Sequence, residues 1–388
     1  MVDFDLPLSR NGTLALKYEA RLRLFGRADV QPLWVADMDF ACPEPVVLAL
    51  QQRAQHPVYG YTQADGQAQQ AVATWWEQRH ACRLKVENIL LAPGMVPCLY
   101  AAVATLTQEG EGVLVQTPVY PPFFSAITDQ NRRVVENPLQ RTSAGYAIDW
   151  AHFEECVQRC RLFLLCSPHN PVGRVWTQEE LLRLLTLCQR HGVYVFSDEI
   201  HADLLLAEHR HFSLAAFDSD RVITGVAPSK TFNIPGMGLS AVIMSEAELK
   251  RRWQAYWRCC PVSVSNPFAL LAFTVAYTSG KEWLDQLLIY LTQTRDASCV
   301  FLQQELPWLK LHPPQATYLF WLDFSALCLP ESLLERRLVQ AGLGLSAGSS
   351  FGKNGCGFMR LNFAAPRAEI FQALQRLRQL APSSTTAE

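Results

Sequence analysis

The sequence predicts an α/β fold: a mostly parallel central sheet with helices on both faces, followed by a smaller α+β domain. Three observations point there. Short apolar runs alternate with helical segments from about residue 85 to 245, the rhythm of strands joined by crossover helices. One of those helices carries its own start and stop signals. After residue 280 the alternation gives way to a long polar–apolar helical pattern, two strands and a terminal helix.

The strands are "GVLVQTP" from Gly112, "RLFLLCSP" from Arg161, "VYVFSDE" from Val193 and "RVITGVAPSK" from Arg221. The helix between the second and third begins at Thr177. Thr177 and Glu180 form a capping-box pattern, Leu181, Leu184, Leu185 and Leu187 recur at roughly helical spacing, and Gly192 stops it. Beyond residue 280 the strands are "QATYLFWLDF" and "GFMRLNFA", separated by a Gly/Ser-rich loop. The polar tail "APSSTTAE" is expected to fray. These changes divide the chain into an N-terminal segment, 1–42, that packs with the small domain; a large domain, 43–280; and a C-terminal small domain, 281–388.

With 388 residues, 49% apolar and 18% charged, the composition is that of a soluble globular protein. A formal charge of −2 gives no electrostatic reason to expect nucleic acid or an anionic membrane as a partner. The start "MVDFDLPLSRNG" has neither a basic nor an apolar region of a secretory signal, and the apolar run "NPFALLAFTVAY" is too short to span a bilayer. A cytoplasmic protein is expected. The twelve cysteines show no CxxC pair and are expected to be reduced and mostly buried. His209 and His211 are expected on a solvated loop, and no metal site is expected.

Ligands of open α/β sheets bind at the carboxyl ends of the strands. The residues there are Tyr120, Asn170, Asp198 with His201, and Lys230. Each alone also fits an ordinary role: packing for Tyr120, a turn for Asn170, a helix cap for Asp198, a surface charge for Lys230. Together they match what a pyridoxal phosphate enzyme needs. The aldehyde takes a lysine, the pyridine nitrogen a carboxylate and the ring an aromatic face. The phosphate takes backbone N–H groups at a helix start, and "APGMVPCLYAAVATL" offers Gly94, Met95 and Val96 there, with Pro97 in the first turn. "GSSFGKNG" and "GLGLSAG" lack the spacings of nucleotide loops.

Seven motifs then carry a resemblance over nearly the whole chain: "WVADMDF" (34–40), "YGYTQ" (59–63), "TPVYPPFF" (117–124), "SPHNPVGRVW" (167–176), "SDEIHADL" (197–204), "SKTFNIPG" (229–236) and "RLNFA" (360–364). In this order they resemble the MalY/PatB-type C-S lyases, cystathionine β-lyase-like members of the fold type I aminotransferase superfamily. The resemblance implies pyridoxal 5'-phosphate as cofactor, Lys230 as the Schiff-base lysine, and Asp198 on the ring nitrogen. It further implies Tyr120 stacked on the ring, Asn170 on its phenolic oxygen, and Arg360 gripping the α-carboxylate of an amino-acid substrate.

It also implies that Tyr61 reaches the phosphate of the neighbouring subunit in a homodimer. His201 stands where many relatives place a cofactor-side tyrosine, and fits either a hydrogen bonder or a packed histidine. Where the superfamily often has a phosphate-binding serine this chain has Ala227, leaving Ser229 adjacent. The activity implied is cleavage of L-cystathionine or related cysteine S-conjugates to a thiol, pyruvate and ammonia. The alternatives are an aminotransferase and a regulatory protein that binds a transcriptional activator.

Overall fold

The computed structural model describes residues 2–217, 219–260 and 262–382. Helix α1 (Gln67–His80) leads to strand β1 (Ile89–Ala92), and helix α2 (Met95–Leu106) leads to β2 (Gly112–Thr117) and β3 (Arg133–Pro138). Then come β4 (Leu162–Cys166), α3 (Gln178–Arg190), β5 (Tyr194–Asp198), β6 (Val222–Val226), the one-turn helix α4 (Pro228–Thr231) and β7 (Ser240–Ile243). The seven strands form one sheet in the order β1-β7-β6-β5-β4-β2-β3. Pairings β2–β3, β2–β4, β4–β5 and β5–β6 are parallel, and β7 runs antiparallel to both its neighbours. The sheet is thus mixed with mostly parallel strands, as the alternation predicts.

Every residue of β2, β4 and β6 is buried. Alternate side chains go to opposite cores: Leu114, Phe163 and Val195 to one, Val115, Leu164 and Phe196 to the other. A strand buried on both faces reads as a continuous apolar run because neither side meets water. The start of α3 is fixed by the capping box: Thr177 Oγ1 accepts from Glu180 N at 3.1 Å and Glu180 Oε2 accepts from Thr177 N at 2.8 Å. Its leucine face packs on the sheet.

Helix α5 (Lys281–Glu305) carries the chain to a second, antiparallel sheet of β8 (Lys310–Leu311), β9 (Leu319–Asp323), β10 (Ser346–Ala347) and β11 (Phe358–Asn362), in the order β8-β9-β11-β10. Helix α6 (Arg367–Leu377) follows. Residues 31–40 run along this part. Gln31 pairs with Leu343 and Pro32 with Gly344, while Asn362 Nδ2 donates to the carbonyls of Val35 and Asp37 at 2.6 and 2.5 Å. Residues 383–388 of the expected frayed tail lie outside the described residues.

Among the described residues no helix is long and apolar enough to cross a membrane. The cysteines correct one expectation. All twelve are unpaired, but only Cys82, Cys98, Cys156, Cys166 and Cys188 are buried, and Cys259, Cys328 and Cys356 reach the surface. Scattered single cysteines carry no periodicity, so their sequence says little about which face they occupy.

Candidate active site

The carboxyl ends of β1, β2, β4, β5 and β6 lie along one edge because Asp198 is in register with Cys166 on one side and Gly225 on the other. A cleft of ≈ 240 Å³ opens there. Its walls include Gly94, Met95, Val96, Tyr120, Asn170, Asp198, His201, Ser229 and Lys230, so nine of the residues singled out in the sequence converge on one space. Two do not line it. Arg360 on β11 is buried beside it and linked through Asn170, whose Oδ1 accepts from Nη1 at 3.2 Å. Tyr61 is fully exposed, away from the cleft of its own chain. Ala227 is buried at the head of α4, outside the lining, whereas Ser229 is within it.

The helix start at the cleft is shaped by two glycines. Gly94 caps α2 with φ +105, a conformation that side chains rarely adopt. Gly225 of β6 leaves room for Met95: a Cβ there would stand 2.6 Å from its sulfur, so the glycine lets the Met95 side chain lie against the sheet. The first-turn N–H groups of α2 have no intrahelical acceptor and open on the cleft, an arrangement suited to an anion.

Burial sets the electrostatics. Asp198 Oδ1 accepts from Ile200 N at 3.1 Å, and desolvation pushes its carboxyl up to about 7, against a smaller downward pull from that bond and from Lys230. Desolvation, and after it the Arg360 charge, brings the Lys230 amine down to about 8. Lys230 Nζ donates to the Ala36 carbonyl at 2.6 Å. His201 is buried and held down at about 3 by desolvation and by the charges of Lys230 and Arg360, so its imidazole is neutral. Its Nδ1 has no partner, and neither has Nε of the buried Arg360. Burial raises the Tyr120 phenol.

A buried acid with a raised pKa is a pH-dependent liability. Folding keeps Asp198 protonated between about 4 and 7, where the unfolded chain has released the proton, so stability falls as pH rises through that window. The ligand-free Asp198→Asn protein is therefore expected to exceed the wild type in stability above pH 7 and to match it near pH 4. Urea unfolding at several pH values checks this; equal differences at pH 4 and pH 8 would contradict it.

The sequence missed the carbonyls that frame the cleft. Trp34 O accepts from Arg360 Nη2 at 2.8 Å, and Ala36 O accepts from both Lys230 and Tyr318 Oη, the latter at 2.9 Å. The two acids of "WVADMDF" were a usable signal. Asp39 pairs at 2.6 Å with Lys17, which is wholly buried, and both Asp37 and Asp39 pair with Arg10. The loop "GSSFGKNG" also serves the site: the Phe351 ring lies 4.8 Å from the Arg360 guanidinium and its carbonyl accepts from Val119 N.

His211 corrects the solvated-loop expectation. It is buried, and its Nε2 donates to Glu199 Oε2 at 2.9 Å, while His209 is exposed. The acidic partner is twelve residues away in sequence and was invisible to a search of neighbours.

The donor set fits pyridoxal phosphate. A buried carboxylate with no ion-pair partner suits a pyridinium, a nearby partly buried amine suits an aldehyde, a helix start suits a phosphate, and an unpartnered guanidinium Nε suits a carboxylate.

Comparison with known proteins gives the same direction. The family "Aminotransferase class I and II" matches residues 28–377. Cystathionine beta-lyase PatB of Bacillus subtilis (strain 168) is 40% identical over 383 residues, covering 97% of this chain and 99% of the relative. The PLP-bound putative aminotransferase from Clostridium difficile 630 superposes with a TM-score of 0.96 at 34% identity, over 98% of this chain and 100% of its own. The PLP-bound C-S lyase from Staphylococcus hominis does so with a TM-score of 0.92 at 30% identity, over 98% and 100%.

Proposed function

Because the chain belongs to the class I and II aminotransferase family, and within it to the group of cystathionine β-lyases and C-S lyases, we propose that it is a pyridoxal phosphate-dependent carbon–sulfur β-lyase. The net reaction takes L-cystathionine, or a related cysteine S-conjugate, and water to a thiol, pyruvate and ammonia. The observation that carries this reading is the pairing of a partly buried amine, Lys230, with a buried carboxylate, Asp198, at the ends of adjacent strands of one cleft.

When bound, pyridoxal phosphate supplies an aldehyde that condenses with amines and a protonated ring that accepts the electrons released at the substrate α-carbon. Lys230 would hold it at the aldehyde, Asp198 at the ring nitrogen, Tyr120 at the ring face, Asn170 at the phenolic oxygen, and the Gly94–Val96 turn with Ser229 at the phosphate. Asp198, ionised beside a cationic ring nitrogen, holds the proton there. Lys230, whose amine is already eased toward neutrality by burial, takes the α-proton at a pH near its own pKa. Arg360 orients the substrate by its α-carboxylate.

The protein works as a cytoplasmic homodimer in this proposal. Val58, Tyr59 and Tyr61 leave an apolar stretch exposed, which supports a second copy seated there with Tyr61 directed to its phosphate. The regulatory role is carried by the resemblance alone. Purified protein given L-cystathionine and no keto acid is expected to release pyruvate, ammonia and homocysteine in equal amounts over many turnovers. A reaction that stops after about one turnover and resumes on adding a keto acid would make the protein an aminotransferase.

A further inference from the structure

Asp203 is wholly buried behind the cleft. Its Oδ1 accepts from Trp75 Nε1 at 2.9 Å and from His80 Nε2 at 2.8 Å, both on α1, and its Oδ2 accepts from Thr231 Oγ1 at 2.9 Å. Thr231 follows Lys230 in the four-residue helix α4, and His201 of the cleft wall lies two residues before Asp203. One carboxylate therefore binds together the long helix α1, the turn bearing His201 and the helix bearing Lys230. Burial would raise its pKa, but the donors from His80, Trp75 and Thr231 outweigh it and hold the group below the ordinary carboxylate range. Asp203 is a fixed anion with three donors, and none of the chemistry above uses it.

A helix of one turn cannot hold its own direction, because it closes too few hydrogen bonds to offset the ordering of its residues. Something outside must aim it. On the far side of Lys230, Asn233 holds the strap at residues 38–40: its Oδ1 accepts from Met38 N at 2.9 Å and its Nδ2 donates to Phe40 O at 2.8 Å. Beside the bond from Lys230 Nζ itself to the Ala36 carbonyl, the side-chain clamp on α4 found among the described residues is Thr231 to Asp203.

We propose that Asp203, acting through the Thr231 hydroxyl, is a positioning residue that sets the Lys230 amine in the cleft. This rests on Lys230 being the reactive amine of the proposed function. Asp203 itself touches neither substrate nor cofactor.

Thr231→Val and Thr231→Ser separate positioning from packing. Valine keeps the branched shape and loses the hydroxyl; serine keeps the hydroxyl and loses the methyl group. Thr231→Val is expected to lower kcat roughly 10- to 100-fold with little change in KM, the scale of a displaced catalytic group, and Thr231→Ser to stay within about threefold of wild type. The second readout needs no cofactor. In the cofactor-free protein, acetic anhydride labelling mapped to the Lys230 peptide is expected to show a midpoint near 8 for wild type and Thr231→Ser. In Thr231→Val the midpoint rises toward the ordinary lysine value, because the released amine reaches water.

A valine variant with wild-type kcat and midpoint, or a serine variant as impaired as valine, overturns the proposal. Failure of the function reading would show separately, as borohydride fixing the cofactor on a different lysine, while the labelling midpoint of Lys230 still reports whether Thr231 aims it.

Discussion

Lys230→Ala is expected to lower kcat by about 10⁴-fold or more, because in the proposed reaction the amine both carries the cofactor and moves the α-proton, and the upper end of acid–base contributions applies to a group with both tasks. Stability should hardly change. The amine is partly buried and its charge is disfavoured by desolvation, so removing it lifts a cost, and the Ala36 carbonyl it leaves still accepts from Tyr318. Steady-state assay, thermal melting and borohydride trapping check the three parts. A small primary amine added to the variant should restore a fraction of the rate, since only an amine has been taken away. Residual activity above about one per cent of wild type, or wild-type trapping of the cofactor, would assign the role to another lysine.

The residues of the cleft were legible because the sheet converts sequence order into space. Once the strands at Gly112, Leu162, Tyr194 and Val222 are placed in parallel, Tyr120, Asn170, Asp198 and Lys230 must share an edge. Gly94 and its helix were legible for a related reason, a glycine before an apolar helix. What lay hidden has one cause in common: the partner is remote in sequence or is backbone. Trp34 and Ala36 contribute carbonyls, which any residue could supply. Glu199 finds His211, and Asp203 finds His80 and Trp75 across 123 and 128 residues. Phe351 lies under Arg360 from a loop whose glycines suggested only a false phosphate site. The role proposed for Tyr61, exposed on this chain, depends on a second copy, which a single chain does not display.

Arg360→Lys should be the second most damaging change, although charge is conserved. The guanidinium is stretched between Asn170 Oδ1 and the Trp34 carbonyl by its two terminal nitrogens, with Phe351 against its face and Nε left without a partner. This fixes the fork, and burial of the cation, which lowers it to about 10, makes a carboxylate counter-charge favourable. An ammonium cannot fill that geometry: it lacks the planar fork, and its three donors satisfy either the protein acceptors or the substrate. Charge-assisted hydrogen bonds contribute about 1.5–3 kcal/mol each, so losing the fork costs roughly 2–4 kcal/mol, about 30- to 1,000-fold in kcat/KM. The loss should fall mainly on KM, with cofactor absorbance unchanged, because the guanidinium is proposed to act on the substrate rather than the ring. An S-conjugate of cysteamine, which lacks the α-carboxylate, sharpens the test: wild type and variant should use it almost equally poorly, since neither has a carboxylate to hold. If the variant loses as much on that compound as on cystathionine, Arg360 supports the cleft as a structural cation and the α-carboxylate is held elsewhere.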